Sequence, residues 1–284
     1  MNITSVLHSF LKLILVLSLL YTGCSSADET HNTTRLRNQQ GEYIYRKYNE
    51  NSFSLAPPAK NTPKTYPWDK EQSGNYPLIT KEFFRCKGSS LNPCHVVQKQ
   101  TEILHCYDCG GVDKHSLPLR DGKEFIYPIL IELLNHIQAT TGKRVVITSG
   151  HRCPEHNTYN NADKENQYSK HMIGAEVAFY VQGLEDKPET IVNIIQNFYK
   201  TNPRYKGKKD YEVFRRYEKQ DTNVSTPPWH NKEIFVKLFA KKEGRDFDNR
   251  HPYAYISIQV RYDRDLNQNV NYSWDKAFRN YHRW

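Results

Sequence analysis

Between Phe125 and Gly150 the chain spells an amphipathic helix followed at once by a buried strand, and that pair sets the class of fold. Ile126, Ile129, Leu130, Leu133, Leu134 and Ile137 recur at helical spacing through Phe125–Thr140, with Pro128 as a start signal and Gly142 as a stop. Residues Arg144–Ser149 then form an apolar run closed by Gly150, which reads as a buried strand. A second helix is predicted over Lys187–Lys200, with Pro188 near its start and Ile191, Ile194, Ile195 and Phe198 on one face. The runs Ile234–Phe239 and Tyr255–Tyr262 read as further strands. Apolar helix stripes need a sheet to cover, so the sum is an α+β domain with a largely antiparallel sheet and packed helices.

That domain occupies residues 81–284, and two unlike segments precede it. Residues 1–24 contain the apolar run Leu13–Leu20 after Lys12, too short to span a bilayer comfortably, which reads as an export signal. It ends in Tyr21-Thr22-Gly23-Cys24, which resembles the bacterial lipobox and makes Cys24 the expected lipidation site, although Tyr21 stands where an aliphatic residue is usual. An ordinary signal peptide cut nearby, or an uncleaved anchor, is the alternative. Residues 25–80 hold five of the 14 prolines and no sustained apolar periodicity, and read as a polar tether. Most of the +9 net charge therefore sits in residues 81–284. A basic surface suits an anionic polymer, but no finger spacing, aromatic RNA-binding box or helix-turn-helix accompanies it, so no nucleic-acid partner is expected.

Export gives the cysteines meaning. Cys86, Cys94, Cys106 and Cys109 crowd into a Cys-rich subregion, residues 86–109, where they can form two disulfides or one four-thiolate zinc site. The oxidising compartment and the uneven spacing favour disulfides. A redox pair at Cys106 and Cys109 lacks a surrounding thioredoxin-like pattern. Cys153 is left as a fifth partner or a free thiol.

Two later segments concentrate chemistry: Ser149-Gly150-His151-Arg152-Cys153-Pro154-Glu155-His156-Asn157, directly after a strand, and Ser169-Lys170-His171-Met172-Ile173-Gly174-Ala175-Glu176-Val177-Ala178, leading into one. They resemble the zinc D,D-carboxypeptidases and murein endopeptidases, a family whose fold is hedgehog-like. Ser149, Gly150, Arg152 and Asn157 match its first motif, and Ser169, His171 and Gly174 match its second, over roughly residues 115–263. The resemblance implies that Arg152 and Ser169 hold substrate and that His171 ligates zinc. It also implies an envelope protein facing the periplasm or cell surface, membrane-anchored through its lipid, with peptidoglycan as partner.

The departures fall on the metal ligands. Ala178 stands at the family's Asp position, and Ser257 at its late-strand His position, with Gln259 where that strand carries Asp. An alanine donates nothing, so the inherited zinc site is degraded unless His230, in a Trp-His pair like a variant of the third-ligand motif, or His251 supplies nitrogen. His230, His151 and His156 have a plainer reading as polar loop residues. Arg152 can equally pair with Glu155 or Glu176. Two functions remain: a peptidoglycan-directed metallopeptidase, or a non-catalytic envelope lipoprotein that binds peptidoglycan or a protein through the cleft and the basic stretch Arg204–Lys219.

Overall fold

The computed structural model describes residues 71–99, 102–111, 115–161, 168–219, 221–273 and 277, all within a compact unit that spans Thr65–Trp284. The export segment, Cys24 and the tether as far as residue 70 lie outside the described residues. Three small hairpins come first: β1 (Gln72–Ser73) with β2 (Tyr76–Pro77), β3 (His95–Lys99) with β4 (Glu102–Cys106), and β5 (Leu119–Arg120) with β6 (Lys123–Glu124). Then follow α1 (Pro128–Thr141), β7 (Val145–Ser149), α2 (Pro154–Asn160), β8 (Glu176–Val181), α3 (Pro188–Thr201) and α4 (Lys209–Glu212). The chain continues through β9 (Arg215–Arg216), β10 (Trp229–His230), β11 (Ile234–Phe239) and β12 (Tyr255–Val260), and a hairpin of β13 (Tyr262–Asp263) and β14 (Gln268–Asn269).

β7 to β12 make one six-stranded sheet in the order β7-β8-β12-β11-β10-β9, with every pairing antiparallel. The α+β architecture follows the periodicity of the sequence closely. α1 starts with Pro128 in its first turn, where a missing N–H costs nothing, and stops at Gly142, whose φ of 61° suits a residue without Cβ. Leu130, Leu133, Leu134 and Ile137 of α1 and Ile191, Ile195 and Phe198 of α3 are buried in one core with Ile147, Val177, Phe179, Val236, Ile256 and Ile258 of the sheet. The strand expected over Tyr255–Tyr262 stops at Val260, and Tyr262 opens the next hairpin.

Strand alternation divides the sheet into two faces and thereby makes the cleft. Val177 lies opposite Ile258, and Phe179 opposite Ile256, with all four side chains in the core. The residues between them face the other way, so Ala178 lies opposite Ser257 and Glu176 opposite Gln259. On the neighbouring strand, Lys237 lies opposite Ser257. A register shift between Ile147 and Ser149 brings Ser149 opposite Ala178, so a bulge at the end of β7 sets the exit of the Gly150–Asn157 loop.

The folded unit begins earlier than the tether reading implies. Residues 71–80 carry β1 and β2, and Ile79 is buried in the core. The Asn135 side chain of α1 pairs with the Ile79 backbone in both directions, and Gln138 donates to the Pro77 carbonyl. A single apolar residue with two amide clasps is enough to bind a segment whose composition is otherwise that of a linker.

Candidate functional site

The two motifs meet directly. His171 Nδ1 lies 2.6 Å from the Gly150 carbonyl, which can only accept, so Nδ1 carries the proton and Nε2 keeps its lone pair. Burial pushes the His171 imidazolium down and favours this neutral form. Nε2 stands 3.7 Å from Glu176 Oε1. Ser169 caps the short 3-10 turn Lys170–Ile173, its Oγ accepting the His171 N–H at 3.2 Å.

Ser169, His171 and Glu176 line a cavity of about 330 Å³ together with Arg152, Ala178, Lys237, Asp246 and Ser257. Glu176 Oε1 accepts hydrogen bonds from Ser257 Oγ at 2.7 Å and Gln259 Nε2 at 2.9 Å. Burial pushes this carboxyl up, but the hydrogen bonds from Gln259 and Ser257 and the charge of Lys237 hold it below its ordinary value. Lys237 is half-buried, and its ammonium donates to Asn223 Oδ1 at 3.1 Å.

Arg152 is engaged by neither Glu155 nor Glu176. Its Nε donates to Asp248 Oδ2 and to Ser149 Oγ, both at 2.8 Å, and its Nη2 donates to Asp246 Oδ2 at 2.7 Å. Asp248 also meets His156 Nε2 at 2.8 Å, and His156 Nδ1 meets Asp108 Oδ1 at 2.6 Å. Burial opposes the charge on His156, but the two carboxylates prevail and raise its pKa to about 10. A buried chain of alternating charge thus runs from Asp108 through His156 and Asp248 to Arg152 at the cleft wall. His156 is no exposed loop residue; it is 2% accessible and clamped on both sides.

Beyond Asp108 lies a second cluster. Cys86, Cys109, His115 and Cys153 are all buried, and their ligand atoms lie within 4.8 Å of one another, an arrangement that can hold a metal ion. Cys86 Sγ is 3.9 Å from Cys109 Sγ, and His115 Nε2 is 3.4 Å from Cys109 Sγ. Cys153 Sγ accepts the His156 N–H at 3.3 Å. The hydrogen bonds among the three thiols hold Cys86 below the ordinary thiol range and push Cys153 above it. The related set Asp108, Cys109 and His156 is already joined by hydrogen bonds and reads as the support of this cluster.

The disulfide reading of Cys86, Cys94, Cys106 and Cys109 is corrected by this grouping. No disulfide joins the described cysteines. Cys94 is exposed beside His105, and Cys106 packs with Tyr159 and Val97, while Cys86 and Cys109 turn inward to meet Cys153. The β3–β4 hairpin separates the two pairs, because Cys94 and Cys106 sit at its base and Cys86 and Cys109 lie on the chain entering and leaving it.

His230 is placed on β10, between β11 and β9, in a separate cavity with Lys209, Arg215 and Arg261, where Arg261 Nη1 donates to its Nδ1 at 2.8 Å. His251 packs among Tyr180, Tyr253 and Tyr255 and is not among the residues lining the cleft. Among the described residues, His171 therefore belongs to no group of three side chains able to hold a metal ion. His151 is also buried, its ring edge-on to His115, and its Nδ1 has no hydrogen-bond partner among the described residues.

Sequence reasoning passed over His115, Asp108, Asp246 and Asp248. His115 follows Cys109 by a ligand-like interval, a usable signal; the aspartates lie on loops with no pattern to mark them. Comparison with known proteins finds no matching family model, no matching curated sequence and no matching solved structure.

Proposed function

We propose that the chain is an exported cell-envelope protein, directed at peptidoglycan and resembling a D,D-carboxypeptidase or murein endopeptidase, that binds stem peptides without cleaving them. The observation that carries this reading is Ala178 facing Ser257 across β8 and β12. Those are the two positions where the resemblance calls for zinc ligands, and a catalytic zinc needs about three protein ligands and a water. The residues present do not fit that ion: His171 keeps a lone pair, Glu176 is held by Ser257 and Gln259, and nothing among the described residues replaces the missing Asp and His. In this reading the zinc implied by the resemblance belongs to the Cys/His cluster and not to the cleft.

What supports binding is the cleft's charge and exposure. Arg152 is spent on Asp246 and Asp248, and the Arg245 guanidinium on the carbonyls of Ala240, Lys241, Asn249 and Tyr253, so among the described residues lining the cleft the cation left to receive a stem-peptide carboxylate is Lys237. The stretch Arg204–Lys219 adds exposed Lys206, Lys208, Lys209, Arg215 and Arg216, which favour an anionic surface at low ionic strength. Lipidation at Cys24 would keep the domain at the membrane that borders this polymer.

The test incubates the full chain with isolated sacculi and with purified muropeptides. The expected result is co-sedimentation that weakens as salt is raised, survives His171→Ala, weakens in Lys237→Gln, and releases no D-alanine or cleaved peptide. Hydrolysis lost in His171→Ala would overturn the non-catalytic reading. Absence of sacculus binding at low salt would overturn the peptidoglycan reading altogether.

A further inference from the structure

We infer that Cys86, Cys109, His115 and Cys153 form a closed tetrahedral zinc site that staples the N-terminal part of the unit to the loop carrying Arg152. This does not rest on the peptidoglycan reading, because its evidence lies in the ligand set alone.

The geometry is that of a preformed cage. Tetrahedral zinc with Zn–S of about 2.3 Å and Zn–N of about 2.0–2.1 Å has S···S edges of about 3.8 Å and S···N edges of about 3.6 Å. The corresponding separations are 3.9 Å for Cys86 to Cys109 and 3.4 Å for Cys109 to His115. All four side chains are at most 4% accessible, so three thiols and an imidazole share a space that excludes water. Thiolate and imidazole are the donors that borderline-soft zinc takes, whereas calcium and magnesium require oxygen. Four protein donors leave no open position, which makes the site structural, unlike the three-ligand site expected in the cleft.

The surroundings are built to the same purpose. A Cβ on Gly88 would fall 2.2 Å from Cys109 Sγ and 2.9 Å from His156 Nδ1, so only glycine lets the chain pass the cluster at this point. Asp108 Oδ1 accepts the Cys109 N–H at 2.8 Å and its Oδ2 accepts the Ser89 N–H at 2.8 Å, which fixes both arms of the Cys86–Cys109 excursion. Outer-shell bonds of this kind orient metal ligands.

The four ligands come from three places far apart in sequence: the chain after the 3-10 turn Lys81–Phe84, the chain after β4, and the first residue before α2. Phe84 and Gly150 are the seam between the first and last of these. The Phe84 carbonyl accepts the His151 N–H at 2.6 Å, and a Cβ on Gly150 would meet the Phe84 backbone at 2.6 Å. Two residues after Phe84 and three after Gly150, Cys86 and Cys153 converge on the same point. A disulfide between Cys86 and Cys109 would use two of the donors and leave His115 and Cys153 buried without a role, so the four-donor cage accounts for more of the structure.

The decisive experiment is metal analysis of the full chain purified without chelator, together with cobalt(II) replacement. About one zinc per chain is expected, and the cobalt form should show the strong d–d bands of a tetrahedral site and thiolate-to-cobalt charge transfer. Cys153→Ser should lose or shift those bands and Cys94→Ser should keep them. Because the cobalt spectrum is read on the unaltered chain, the result stands even if Cys153→Ser fails to fold. Sub-stoichiometric metal, an octahedral cobalt spectrum, or a Cys86–Cys109 disulfide in peptide mass spectra would overturn the assignment. Loss of sacculus binding would leave it untouched.

Discussion

The cleft and the Cys/His cluster are both places where this fold gathers metal-capable side chains, and they differ in what backs each donor. In the cleft, His171 is held in the ligand-competent tautomer by Gly150, yet Ala178 and Ser257 stand at the two positions where the proposed family resemblance would place further ligands. In the cluster, four donors converge, and Gly88, Asp108 and His156 support them from outside. A single well-placed ligand is thus no evidence of a site; convergence of donors and their supports is.

The largest expected effect comes from removing a cluster ligand. Cys153→Ser, or stripping the metal with chelator, should cost about 4 kcal/mol or more, since loss of a structural metal is among the few mechanisms that reach this size. Thermal melts with and without zinc would show it, and an unchanged Tm would erase the distinction between the two regions.

Next is the bridge between them. Asp248→Asn leaves Arg152 and His156 with one fewer counter-charge in a buried network and should destabilise the domain by about 3–5 kcal/mol. Denaturant unfolding measures this. A change below about 1 kcal/mol would mean that the chain of charges from Asp108 to Arg152 carries little energy.

A gain-of-function change sharpens the comparison further. Ala178→Asp with Ser257→His supplies both missing donors on facing positions beside His171. The double variant should bind a second zinc that the parent does not, and a stoichiometry still near one would mean that the cleft is not the degraded metal site the resemblance suggests.

The fold was legible where burial has a period. α1, α3, β7, β11 and β12 appear within a few residues of their expected positions because each presents one apolar face to a common core. The first ten described residues escaped because Ile79 is one apolar residue in a polar stretch, held by amide side chains on α1 that no local pattern announces. The site was half legible. His171, Arg152 and Ser169 do line one cleft, but the partners of Arg152 come from Asp246 and Asp248, roughly a hundred residues away on an irregular loop. Cys153 was visible as a cysteine, whereas its partners Cys86, Cys109 and His115 depend on a long-range closure that spacing does not encode.

The smallest effect is in pH dependence and lies outside both regions, which makes it a control. Burial holds the Glu233 carboxyl above its ordinary value, against Tyr205, Tyr199 and Arg264, with Glu132 adding to the rise. The unfolded chain therefore ionises first as pH rises. Stability from this group is complete below the unfolded value of about 4.3 and declines as pH climbs toward the raised folded value. Glu233→Gln should flatten that part of the stability–pH curve without altering zinc content, whereas a change in zinc content would tie this core to the cluster.

The proposed zinc belongs to the cluster and not to the cleft. Zinc content of His171→Ala beside Cys153→Ser, both as full chains, tests this most directly: about one zinc per chain is expected in His171→Ala and none in Cys153→Ser, and the reverse pattern would contradict it.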